Sequence, residues 1–181
     1  MKPTSRVALG GILSALSLLI LCLTIFPFAT YALPPLAGIA LIPLVIECGK
    51  KWAFLAYAAV SLLALLIVPD MEAKLLFVAF FGYYPIIKAV FESFHSRLLE
   101  WVTKLAVFNG AVVGAYLLLS LLGLPLDDFR IAGVALPLSA FLLAFLLMGN
   151  VIFVLYDLGV TRSLPVYFVR IRPIVRRLFK V

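Results

Sequence analysis

A chain of 181 residues that is 66% apolar and only 13% charged carries about half the charge of an ordinary soluble domain, in which about a quarter of residues are charged. That excludes a soluble globular fold. The formal net charge of +7 is spread over the breaks between apolar blocks, with no soluble scaffold to present it, so it reads as membrane topology rather than nucleic-acid binding. Only helices and closed barrels satisfy the backbone in lipid. The blocks are continuous Leu/Ala/Val/Ile/Phe runs without the period-2 alternation of barrel strands, so the expected fold is all-α: a polytopic membrane helix bundle forming a single transmembrane domain over residues 1–181.

Six spans are expected, since a hydrocarbon core about 30 Å thick takes about 20 helical residues. The first, 7–28, follows the basic leader Met1-Lys2-Pro3-Thr4-Ser5-Arg6. It is longer than a signal-peptide h-region and lacks a small-residue cleavage site, which makes it a retained helix. Small residues recur along it at Gly10 and Ser14 and at Gly11 and Ala15, a four-residue spacing that lets helices approach closely. The second span, 33–46, contains Pro34, Pro35 and Pro43. At about 21 Å long, it either falls short of a full crossing or continues through an irregular segment at 28–32. The third is 52–68, stopped by Pro69-Asp70; the fourth is 75–91, with Pro85 inside it; the fifth is 101–122, ended by Gly123 and Pro125. The sixth runs from 134 to 158 and leads into a basic tail, 159–181. Six cations interleave with apolar residues in that tail, a pattern suited to the anionic inner leaflet, with Pro173 expected to bend or break a helix there.

Short cytoplasmic loops collect Lys and Arg. With both termini cytoplasmic, thirteen of the fifteen basic residues fall inside, and only Lys74 and Arg130 lie outside, beside Asp70, Glu72, Asp127 and Asp128. An even number of spans in the cell (cytoplasmic) membrane accounts for that asymmetry.

Catalytic motifs are missing. The single histidine, His95, sits in an inner loop and no HExxH, GxSxG or Walker loop occurs; no enzyme activity, cofactor or metal is expected. Asp127-Asp128 suits a solvated turn, and Asp157 is expected to pair with Arg162 or with loop lysines. Cys22 and Cys48 suit small core residues. The uncharged polar groups are more informative. Asn109 and Asn150 lie in long apolar spans and must face protein or water, as interhelical ties or as ligand contacts. Tyr83 and Tyr84 adjoin Pro85, and Tyr31 lies in the first outer loop beside the shortest, proline-interrupted span, the type of span that marks binding sites in transport proteins.

The basic leader running into an Ala/Gly/Ser-rich first helix, six spans in under 200 residues, the short proline-bearing second span and the basic cytoplasmic end resemble the S-components of energy-coupling factor vitamin transporters. That resemblance implies a small-molecule ligand held from the outer side. It also implies a transmembrane coupling subunit docked on helix one at Gly10, Gly11, Ser14 and Ala15, and ATPases in other chains, since no ATP-binding motif is present here. Asn109, Asn150, Tyr83, Tyr84 and Tyr31 are the candidate substrate-binding residues, and membrane lipids are the surrounding partner. The run Phe80-Phe81-Gly82-Tyr83-Tyr84-Pro85-Ile86-Ile87-Lys88 also resembles small bacterial membrane proteins without an assigned activity. A cell-shape scaffold resembling the MreD family is the alternative, and a lipid-metabolism protein the third.

Overall fold

The computed structural model describes residues 2–26, 29–94, 96–121, 130–131, 134–135 and 138–179. Pro27, Phe28, His95, Asp127, Asp128 and Pro137 lie outside the described residues. Apart from one two-residue ladder, in which Arg130 pairs with Ala135 and Ile131 with Val134, the described secondary structure is helical. Five helical stretches are long and apolar enough to cross a bilayer: Pro3–Ile25, Lys50–Ile67, Met71–Phe91, Arg97–Ala115 and Leu146–Leu178. The chain has the architecture of a multi-pass membrane protein.

The helices are α1 (Pro3–Cys22), α2 (Leu33–Ile39), α3 (Ile42–Cys48), α4 (Lys50–Ile67), α5 (Met71–Leu76), α6 (Tyr84–Phe91), α7 (Arg97–Leu121), α8 (Leu138–Val166) and α9 (Arg172–Phe179). Two wide π-helical turns, Phe77–Phe81 and Tyr167–Ile171, join α5 to α6 and α8 to α9. The described chain forms two compact units. One holds residues 1–93 and 159–181, the other 94–158.

In the first unit the packing is that of a membrane bundle. The buried side of α4 is built from Ala53, Ala56, Val60, Ser61 and Ala64, whereas Leu55, Leu62 and Leu66 point outward, Leu66 with 77% of its surface exposed. Small residues let helix backbones approach and large ones face lipid. The partner face on α1 is Leu9, Leu13, Ser17 and Leu21, spaced at four residues along one side. Gly49, at φ 88°, turns α3 into α4 in a single residue, a backbone conformation that only glycine adopts without strain.

The second span departs from expectation. Instead of one helix over 33–46, two seven-residue helices meet at Ala40 and Leu41. The prolines head helices rather than interrupt one: Pro34 and Pro43 lie in the first turns of α2 and α3, where the missing N–H has no helical partner to lose. Pro85 likewise heads α6. The fourth span begins at Met71 rather than at 75, because the Asp70 carboxylate accepts from the Ala73 N–H at 3.1 Å and caps the helix. The sixth begins at Leu138 rather than 134, since Val134 and Ala135 belong to the ladder. It runs on past 158 to Val166, and the basic tail stays helical to Phe179. Pro173 does not break the tail, because it occupies the second position of α9.

Candidate functional site

Both irregular points in the first unit lie near the middle of their apolar segments, Leu33–Cys48 and Met71–Phe91, and each frees a carbonyl. At the α2–α3 break the Leu41 N–H donates to Gly38 O at 3.1 Å instead of to Ala37 O, four residues back. The Ser17 hydroxyl, fully buried on α1, donates to that Ala37 O at 2.9 Å. At the π turn the Gly82 N–H donates to Phe77 O at 2.8 Å, five residues back rather than four. The Tyr57 hydroxyl on α4 donates to the released Val78 O at 2.6 Å. Orphaned carbonyls in lipid cost several kcal/mol each, so these two hydroxyls make the interruptions tolerable. The two interruptions also belong together, since α2 packs directly on the π turn.

Aromatic rings fill this region. Phe80 stacks on Tyr84 with centroids 4.8 Å apart, and Tyr83 meets Tyr57 edge-on at 5.8 Å and Phe80 at 6.0 Å. Tyr84 is fully buried, whereas Tyr83 is half-buried. Gly82 is needed for close approach, because a Cβ there would lie 2.7 Å from two atoms of the Tyr57 ring.

Tyr31 lies at the end of this unit where α5 begins. Its hydroxyl donates to Glu72 at 2.6 Å, and the neighbouring Thr30 hydroxyl donates to Asp70 at 2.6 Å. The bond to Glu72 is the main reason the Tyr31 phenol is pushed up to about 12, with burial and the charges of Glu72 and Asp70 adding to it. Tyr31 and Tyr83 do not converge directly: Glu72 precedes Tyr83 by eleven residues, about 16 Å of helix rise. At the opposite end Glu47 accepts from Arg172 Nε at 2.8 Å and from the Tyr167 hydroxyl at 3.1 Å. Buried Lys88 pairs with Glu92 at 2.8 Å.

The helix-one residues divide. Gly10 and Ser14 flank the buried stripe, with Leu44 4.0 Å from where a Gly10 Cβ would sit, whereas Gly11 and Ala15 are exposed and a Cβ at Gly11 would meet nothing within 4 Å.

In the second unit α7 and α8 bring Asn109 and Asn150 together. Each amide donates to the other's Oδ1 at 3.0 Å and spends its second N–H on the carbonyl four residues back, Leu105 O at 2.8 Å and Leu146 O at 2.7 Å. All four amide N–H groups are therefore used. Phe108 and Phe153 stack next to them at 5.0 Å. Beyond lies a buried ion cluster: Lys104 Nζ sits 2.7 Å from Glu100 Oε1 and 3.2 Å from Asp157 Oδ2, and 5.2 Å from the Trp101 ring centroid. Asp157 thus pairs across to α7. Sequence reasoning left out Ser17, Tyr57, Glu47 and the burial of Lys104. For the lysines the available signal was an acid four residues away, Glu100 before Lys104 and Glu92 after Lys88.

The reciprocal amide pair makes a specific prediction. Asn109→Ala and Asn150→Ala should each lower stability by about 0.6–2 kcal/mol, and the double variant should cost little more than either single one, since each loses the same pair of bonds. Additive losses in a detergent unfolding titration would separate the two residues.

No three-residue cluster of His, Cys, Asp or Glu suited to a metal occurs among the described residues. Searches with this chain match no protein-family model, no curated protein and no solved structure.

Proposed function

We propose that the protein is the substrate-capture subunit of a small-molecule importer, crossing the cell membrane six times with both termini in the cytoplasm and energised by other chains. One observation carries this reading. Two helix interruptions, at Ala40–Leu41 and at Phe77–Gly82, fall near the middle of the apolar segments Leu33–Cys48 and Met71–Phe91, a position this reading takes as mid-membrane depth; α2, which ends at the first break, packs on the π turn, and aromatic rings line that turn. Irregular backbone at that depth is tolerated only where protein or a cavity surrounds it, π turns concentrate at functional sites, and discontinuous spans hold substrate in transporters.

Tyr83 is the proposed ligand contact, since it is half-buried and the Tyr57 hydroxyl beside it is already committed to Val78 O. Tyr84 backs the site through Phe80, and Tyr31 with Glu72 ties the outer rim. The exposed Gly11 and Ala15 are the proposed contact for a transmembrane coupling subunit. The likeness to S-components in leader, first helix and short second span agrees with this. The self-satisfied asparagine pair favours a second reading, a scaffold of the MreD type, in which polar residues only tie helices together.

Native mass spectrometry of gently solubilised protein tests the proposal. A retained small molecule is the expected result; a copurified morphogenetic protein with no bound small molecule would support the scaffold instead.

A further inference from the structure

The C-terminal helical stretch is too long to lie within the bilayer. From Leu138 to Phe179 the chain is helical for 42 residues, about 63 Å of helix, against a hydrocarbon core of about 30 Å. About twenty residues must lie beyond the core. The arginines decide which: Arg162, Arg170, Arg172, Arg176 and Arg177 all belong to the C-terminal half, so the excess lies at that end and includes the π turn and α9. Pro165 and a π turn are the two features that let a helix change direction at this point.

This segment has two sides. One is fastened to the rest of the first unit: Val175 is 8% exposed and joins the core cluster with Leu9, Leu13 and Leu44, and Arg172 pairs with the buried Glu47. The other is open. Ile174 and Leu178, four residues apart on one face, are 57% and 72% exposed, and Ile171 lies one turn before them. Arg170 and Arg177 are exposed beside this apolar strip, Arg176 is exposed on the other side of α9, and none of the three has an ion pair among the described residues. Glu47, the one acid meeting the segment in these contacts, is taken by Arg172.

We infer that 166–179 is an interfacial anchor whose open face binds the anionic phospholipid surface, with Ile174 and Leu178 sunk at the headgroup boundary and Arg170 and Arg177 on lipid phosphates. Charge complementarity selects this occupant. An exposed apolar strip flanked by unpaired cations, on a chain already held in the bilayer, meets acidic headgroups without any diffusional step. The Glu47 clasp fixes which face is offered.

The test uses the full chain with Cys22→Ala, Cys48→Ala and Leu178→Cys, labelled with an environment-sensitive fluorophore. It is reconstituted into vesicles of phosphatidylcholine alone or of phosphatidylcholine with phosphatidylglycerol. Both leaflets have the same composition, so insertion direction does not matter. A blue-shifted emission in the phosphatidylglycerol vesicles, reversed by high salt, is expected. Arg170→Gln and Arg177→Gln together should remove the difference, each change weakening surface attraction about fivefold. The salt titration of the unsubstituted arginines stands alone if that variant folds poorly. Identical, salt-insensitive emission in the two lipids would overturn the inference and assign the face to a protein, whether an acidic partner or a second copy.

Discussion

Lys104→Met is expected to destabilise the protein by about 3–5 kcal/mol, the typical cost of leaving a buried charge without its partner. Lys104 is 1% exposed and stands between two carboxylates, at 2.7 Å from Glu100 and 3.2 Å from Asp157, whose side chain is 4% exposed. With the ammonium gone, Glu100, at 19% exposure, is able to turn outward. Asp157, whose side chain is buried, has no such route and loses its ammonium partner at 3.2 Å. Lys104→Met with Asp157→Leu should recover most of the loss, because replacing a buried pair by apolar groups of similar volume is often neutral or stabilising. Unfolding in mixed micelles, followed by circular dichroism, measures both. A Lys104→Met protein within about 0.5 kcal/mol of wild type would contradict a buried cluster, since that is the range of ordinary surface substitutions.

Gly82→Ala should cost about 1–3 kcal/mol by overpacking. The new methyl would sit 2.7 Å from Tyr57 Cδ2 and Cε2 and 2.8 Å from Phe77 Cε1. A ring free to swing would relieve this cheaply, but the Tyr57 hydroxyl is fastened to Val78 O and Phe77 is fully buried. In a Tyr57→Ala background the same substitution should cost distinctly less, a coupling of about 1 kcal/mol. Equal costs in both backgrounds would mean that the ring does not press on Gly82. Because Gly82 closes the π turn through its bond to Phe77 O, the strain should also lower ligand retention.

Much of the fold is legible in the sequence, because apolar runs report lipid directly. The positions of α4 and α7 follow from their apolar runs, but their starts do not: α4 begins at Lys50 and α7 at Arg97, taking into the helix the charged residues that the expected spans, 52–68 and 101–122, left outside. The proline-rich second span is not legible in the same way. A segment apolar on every side has no amphipathic stripe to show where one helix stops, and the break at Leu41 depends on Ser17, twenty residues before the carbonyl it satisfies. The π turn is equally hidden, since Tyr57 stabilises it from another helix.

For the site, polarity in an apolar run identifies Asn109 and Asn150 as inward-facing, but sequence fixes depth only loosely and rotation hardly at all. That the two amides satisfy one another follows from the α7–α8 pairing, which joins residues 41 apart. Lys104 was legible as a cation near a membrane boundary, yet its burial depends on Asp157, 53 residues away. Long-range partners of this kind leave no periodic signature.

The central claim is that ligand is held at the aromatic kink around Tyr83, with the asparagine pair serving the helices alone. Calorimetric binding of the retained small molecule to wild type, Tyr83→Ala and Asn109→Ala in nanodiscs tests it most directly. Tyr83→Ala should bind on the order of tenfold more weakly, about 1.4 kcal/mol, while Asn109→Ala, though less stable, should bind as wild type does. Unchanged binding by Tyr83→Ala together with lost binding by Asn109→Ala would contradict the account and return the site to α7 and α8.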